Sequence, residues 1–282
     1  MPDLALKRLA FALAVALAAL STQTVASAAP IWIERLAIPK ADLLDEKFAA
    51  SAPRSTVVPD HSSWSAILGR RIAPGPDGVA RFDYAGVSPD ERSAISAYIR
   101  DLSAFDPATL SRDDQLALWI NLYNAATVAL ILDNPPLKSI RDLDDPWGRP
   151  VATAAGRMLT LSDIEHRIIR AVFDDPRIHY ALNCASIGCP DLATRAYVGA
   201  ELDAMLDGAA RAYVNHPRGA RFAGDKLVVS KIYGWYRDDF GGGEDSILAH
   251  LRIYAEGDLA RRLASAKSIS GYAYDWSLNA PE

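Results

Sequence analysis

The chain has 282 residues, half of them hydrophobic, 23% charged and 9% aromatic, which is ample for a packed core and excludes collagenous or low-complexity organisation. A net charge of −5 argues against a general nucleic-acid binder, whose basic footprint would displace counterions from phosphates. Only two cysteines are present, which rules out a disulfide-stapled scaffold and a four-cysteine zinc site.

Lys7 and Arg8 precede an apolar run from Leu9 to Leu20 and a small, polar stretch ending in Ala26-Ser27-Ala28. This is the layout of a secretory signal peptide spanning 1–28, with cleavage expected after Ala28. The run is shorter than the roughly 20 residues a helix needs to cross a bilayer. No cysteine near the cleavage point could take a lipid. The mature chain is therefore expected to be soluble and exported, periplasmic or extracellular, with no membrane span.

Residues 29–60 read as an N-terminal extension carrying a short amphipathic piece around Leu43–Phe48, and 61–282 read as one domain. Within it, His61–Leu68 is amphipathic, Ala80–Tyr84 is a strand and Pro89–Ala104 a helix. The next helix, from Ser111 or Arg112 to Leu132, is apolar on nearly every side and should be central. Asn121 and Asn124 lie one turn apart on it, and buried amides require partners. Val151–Leu161 predicts a hairpin turning near Ala155-Gly156. Ser162-Asp163-Ile164-Glu165 has the form of a capping box opening a helix to Phe173.

Arg177–Asn183 alternates as a strand does and is followed by the turn-rich loop Cys184–Pro190. Glu201–Asn215, Lys231–Phe240 and Asp245–Ala255 predict helices, and Arg221–Ser230 a second hairpin. Few strands among many helices, without regular alternation, predict an α+β fold: a single domain with a central buried helix, several further helices and a small, mostly antiparallel sheet.

Chemistry-bearing residues concentrate where the strand meets the loop: His179, Cys184, Ser186 and Cys189. Four readings compete. In the first, Cys184 and Cys189 form a disulfide across four intervening residues, a feasible span that the oxidising compartment favours. In the second, Cys184 is a nucleophile activated by His179, with Glu165 or an asparagine orienting the imidazole and Asn121 or Asn124 donating to an oxyanion. A third draws a metal site from His166, His179 and the two cysteines, although neither H-E-x-x-H nor C-x-x-C is present. The fourth makes His179 a core histidine and both cysteines small buried residues. No phosphate-cradling glycine loop, dinucleotide fingerprint or nucleophile elbow occurs, and neither a cofactor nor a metal is expected. Trp235, Tyr236, Tyr274 and Trp276 could line a ligand groove or close the core.

Taken together, Leu118–Ala125 (LWINLYNA), Leu161–His166 (LSDIEH), His179–Cys184 (HYALNC) with Cys189-Pro190, Lys231–Tyr236 (KIYGWY) with Asp239-Phe240, and Tyr274–Asn279 (YDWSLN) resemble the domain-of-unknown-function family 547, from about His61 to Asn279. Tyr233-Gly234 stands where that family usually has a bulkier, phenylalanine-containing pair. The resemblance implies one domain and transfers no activity, cofactor or catalytic residue.

The expected function is that of an exported domain with a cleft where the asparagine helix meets the His179–Pro190 loop. It would act as a cysteine-dependent hydrolase or acyl transferase, or alternatively as a non-catalytic binding or scaffold module closed by a Cys184–Cys189 disulfide. Its partner would be a small molecule, a peptide or a cell-envelope component.

Overall fold

In a computed structural model describing residues 30–281, the chain folds around one long apolar helix, Arg112–Leu132. The expected signal peptide, 1–28, lies outside the described residues. Ser111 starts the helix by accepting the Asp114 amide, and Asp113 and Asp114 put negative charge at the positive end of its dipole. Every residue from Gln115 to Val128 is buried, so the helix has no polar face. It is long and apolar enough to cross a membrane, yet 89% of its most apolar window is covered by the rest of the protein, as in a core helix.

In chain order, α1 (Ile31–Leu36) and a 3₁₀ turn at Glu46–Phe48 lead into α2 (Ser62–Arg71), the antiparallel pair β1 (Ile72–Pro74) and β2 (Ala80–Phe82), and α3 (Pro89–Ser103). A reciprocal Ser88–Glu91 capping box with Pro89 in the first turn opens α3. The central helix is α4. It is followed by the hairpin of β3 (Pro150–Ala154) and β4 (Arg157–Thr160), which turns through Ala155 and Gly156, both left-handed at φ 49° and 74°. A π-helix, Asp163–Ile169, continues into α5 (Arg170–Val172) and then a 3₁₀ helix, Pro176–Tyr180.

The remainder comprises α6 (Leu202–Asn215), β5 (Ala220–Ala223), β6 (Lys226–Ser230), α7 (Lys231–Trp235), α8 (Glu244–Tyr254), α9 (Gly257–Ser265) and β7 (Gly271–Ala273). β5 and β6 form a hairpin, and β7 joins β6 in parallel. The fold is thus α+β, with its strands divided among small sheets. One apolar core forms around α4, with Phe48 edge-on to Trp119 at 5.7 Å. A second packs Tyr213, Tyr233, Ile247 and Leu251 from α6, α7 and α8.

Three sequence expectations are corrected. Arg177–Asn183 is not a strand: Asp175 accepts the Arg177 amide and Pro176 fixes the first turn of a 3₁₀ helix. Its alternation misled because both sets of side chains are buried, Ile178 and Tyr180 on one hand, His179, Ala181 and Asn183 on the other. Ser162 and Glu165 do not form a capping box. Asp163 instead accepts from the Thr160 amide and hydroxyl while its own amide donates to Thr160 Oγ1, so the exchange sits two residues earlier. Lys231–Phe240 is helical only to Trp235, and the chain continues to Phe240 in turns. The helix α9 and the strand β7 were not expected.

Candidate functional site

The Cys184–Pro190 loop is fixed from three directions. From α4, Asn124 donates to Ala181 O and accepts the Asn183 amide, both at 2.9 Å. From the far end of α6, Tyr213 donates to Gly188 O at 2.7 Å, while Arg218 donates to Ile187 O at 3.1 Å and Cys189 O at 2.7 Å. Three consecutive carbonyls are thereby held by side chains. On the third side runs the segment after β7: Ile187 N donates to Ser277 O and Gly188 N to Asp275 O, each at 2.8 Å, and Asn279 N donates to Ala185 O at 3.0 Å. Within the loop, Asn183 accepts the Ala185 amide and donates to Pro190 O, and Ala185 takes a left-handed φ of 60°.

This clamp brings the two sulfurs to one hydroxyl. Both cysteines are free thiols in this structure, Cys184 partly exposed and Cys189 buried. Tyr274 Oη lies 3.2 Å from Cys184 Sγ and 3.0 Å from Cys189 Sγ. The Cys184 amide also donates to Cys189 Sγ at 3.0 Å. Hydrogen bonding to Cys189, followed by burial, pushes the Cys184 thiol well above its ordinary range. Burial alone would raise Cys189 as well. Its bonds with the Cys184 thiol, the Tyr274 hydroxyl and the amides of Cys184 and Ser186 outweigh that and pull it down. Of the two sulfurs the buried one is the more acidic.

His179 and Glu165 belong to a different cluster. His179 Nε2 is 2.7 Å from Asp239 Oδ2, and Arg170 grips the same carboxylate bidentately at 2.6 and 2.9 Å. The His179 ring stacks on Tyr236 at 4.1 Å between centroids. Tyr236 and Tyr123 donate to the two oxygens of Glu165, at 2.5 and 2.9 Å. Burial opposes ionisation of Glu165, but His166 and those hydroxyls hold its carboxyl below the usual range. The same balance, struck by His179 and Arg170, holds Asp239 well below its ordinary value. Arg170 also donates to His166 Nδ1 and to Pro39 O. Among the described residues no hydrogen bond joins His179 to Cys184, and no group of three or more His, Cys, Asp or Glu is placed to hold a metal.

Asn121 stands apart from both clusters, pairing through its amide with the backbone of Tyr197. Trp235 donates its indole N–H to Glu34 and packs with Trp276 around the Tyr274 ring, at 4.8 Å (Trp235) and 4.7 Å (Trp276) from it. Tyr236 is turned to Glu165 and away from this group.

Residues 107–214 match a family model described as a protein of unknown function, DUF547. No curated protein and no solved structure matches the chain. The DUF547 match covers α4, the β3–β4 hairpin, the π-helix, the cysteine loop and α6, and so contains Asn121, Asn124, Glu165, His179, Cys184 and Cys189. It stops before Tyr236, Asp239 and Tyr274, each of which completes one of the two clusters.

Sequence reasoning places Tyr274 on a ligand-groove wall, without a chemical role, and assigns none to Asp239 or Arg170. Asp239 and Tyr274 lie 60 and 85 residues from the side chains they meet, too far for any spacing rule. Arg170 carried a weak signal, four residues after His166 on one helical face.

Proposed function

We propose that this chain performs thiol–disulfide chemistry with the Cys184–Cys189 pair, in a compartment outside the cytoplasm. The observation that carries the reading is the single tyrosine hydroxyl in contact with both sulfurs, beside a backbone amide aimed at Cys189. The Lys7-Arg8 start, the apolar run and Ala26-Ser27-Ala28 support export.

In this reaction Cys184, the partly exposed sulfur, attacks a disulfide of a small thiol or a peptide, and its proton stays with the pair. One sulfur of the substrate leaves as a thiolate, giving a mixed disulfide on Cys184. Cys189 then gives up its proton to the departing sulfur and attacks Cys184 Sγ. The second half of the substrate is released as a thiol and the loop closes as a disulfide. The substrate disulfide gains two electrons and the protein dithiol loses two.

Purified protein equilibrated in graded glutathione buffers tests this by thiol counting. Both thiols should disappear together as the buffer becomes oxidising, and Cys189→Ser should accumulate one glutathione on Cys184. Two thiols that persist in fully oxidised glutathione, or a Cys189→Ser protein that takes up none, refute the proposal.

A second reading, a cysteine-dependent hydrolase or acyl transferase, is favoured by the Asp239-oriented imidazole of His179, the arrangement of an acid–base dyad. It requires His179 to reach Cys184 on substrate binding. A burst of acyl-enzyme from activated esters in wild-type protein, lost in both Cys184→Ala and His179→Asn, would select it over the redox cycle.

A further inference from the structure

The dithiol reading leaves a mismatch that the geometry resolves. Cys184, the more exposed of the two, has its thiol pushed up by hydrogen bonding to Cys189 and by burial, whereas Cys189, which is 2% exposed, is pulled down by its hydrogen bonds. The more acidic sulfur is thus the buried one, so attack by Cys184 requires a proton to pass from Cys184 to Cys189, and among the described residues no imidazole or carboxylate is hydrogen-bonded to either. What both do touch is Tyr274 Oη, at 3.2 and 3.0 Å. A phenol has one proton to give and lone pairs to accept with, so it can accept from one sulfur while donating to the other.

We infer that Tyr274 is a catalytic residue of this site, its hydroxyl relaying one proton from Cys184 to Cys189 so that the exposed sulfur becomes the nucleophile. The inference rests on the dithiol reading. In the relay the Cys184 S–H bond breaks as the proton passes to Tyr274 Oη. The original phenolic O–H breaks as its proton passes to Cys189 Sγ. The tyrosine ends neutral, Cys189 is a thiol, Cys184 is a thiolate, and the net charge of the site is unchanged. A neutral resting phenol suits this role: burial, then the charges of the two sulfurs, push its ionisation well above the ordinary range.

The surroundings fit a positioning requirement. The Tyr274 ring is wedged against Trp235 at 4.8 Å and Trp276 at 4.7 Å, and its backbone neighbours are tied to the cysteine loop through Asp275 O and Ser277 O. The hydroxyl has little freedom to leave the sulfurs, and the reacting groups are held together before substrate binds.

Two measurements on the full chain test the relay. The first is the bimolecular rate of the exposed thiol with the aromatic disulfide dithiobis(nitrobenzoate) at neutral pH. Tyr274→Phe keeps the ring packing and removes the hydroxyl, and should slow this rate at least about tenfold while circular dichroism shows the native fold. A rate within twofold of wild type in folded Tyr274→Phe overturns the inference, because the proton would then pass directly between the sulfurs.

The second covers the case in which Tyr274→Phe does not fold. In a Cys184→Ser background the thiolate absorbance of Cys189 is titrated with 3-fluorotyrosine placed at position 274. The stronger donor should lower the midpoint by about half a pH unit, and an unmoved midpoint overturns the inference. Neither measurement needs a disulfide to close within the loop. A failed glutathione cycle therefore counts against the function proposed above and leaves the relay to be judged by its own results.

Discussion

Gly188 is where the cysteine loop and the C-terminal segment approach most closely, and replacing it with alanine tests how tightly that segment holds the site. A Cβ at this position would lie 2.8 Å from Asp275 N, 2.9 Å from Asp275 O and 2.9 Å from Tyr274 Cδ1. Two of these three neighbours are backbone, so the strain cannot be relieved by turning a side chain. Ordinary contact begins at 3.4 Å, so the segment must retreat by about 0.6 Å. Gly188 does not have a positive φ, and the effect of alanine is therefore steric rather than conformational. Overpacking of this kind costs about 1–3 kcal/mol, and weakening the Gly188 N to Asp275 O bond about 1 more. The sum of about 2–4 kcal/mol lowers the melting temperature of a unit this size by about 5–15 °C. The retreat also draws Tyr274 from the sulfurs, so thermal melting followed by circular dichroism should be paired with thiol titration. A Gly188→Ala protein that melts within 2 °C of wild type with unchanged thiol reactivity would refute this steric account.

Three further outcomes are expected. Asn124→Ala removes both bonds between α4 and the Ala181–Asn183 backbone, which should lower the urea unfolding free energy by about 2–3 kcal/mol and speed alkylation of Cys184; equal stability would show the amide dispensable. Glu165→Ala leaves the Tyr123 and Tyr236 hydroxyls without their acceptor at a cost of about 2–4 kcal/mol, whereas Glu165→Gln, which keeps an oxygen there, should recover much of the loss. His250 is held neutral by burial, its pKa pushed down from 6.5 to about 4, and its Nε2 lies 2.8 Å from the Tyr180 hydroxyl. The unfolded chain binds this proton more readily, so the contribution is complete above about pH 6.5 and is lost as pH falls towards 4. Urea midpoints of wild type should drop more steeply across that window than those of His250→Gln, and parallel curves would refute the assignment.

Much of the scaffold is visible in local sequence. The unbroken apolar run of α4, the Pro89 start of α3 and the Ala155-Gly156 turn each report a short-range physical preference, and the structure places the elements there. The 3₁₀ segment at Pro176–Tyr180 was misread because a stretch buried on all sides carries no usable periodicity. The site was half legible. Cys184 and Cys189 were recognisable by their scarcity, and Asn124 by its polarity inside an apolar helix. What completes each cluster comes from far along the chain: Asp239 meets His179 across 60 residues and Tyr274 meets Cys189 across 85. The motifs Asp239-Phe240 and Tyr274–Asn279 mark both residues, but nothing local says which side chains they meet. Glu165 was legible as unusual, but how it meets its two tyrosine donors depends on a π-helical turn that no hydrophobic pattern encodes.

The 85-residue separation between Cys189 and Tyr274 also bears on how the molecule is made. A chain emerging from the ribosome presents both thiols well before the tyrosine and the strand that carries it have been synthesised. During that interval the cysteine loop has α4 to rest on but neither the hydroxyl that joins the sulfurs nor the backbone partners of Ile187 and Gly188. Nascent chains stalled between these two positions should therefore label more readily at both sulfhydryls than the mature protein does, and the added protection should come when Tyr274 and its segment dock.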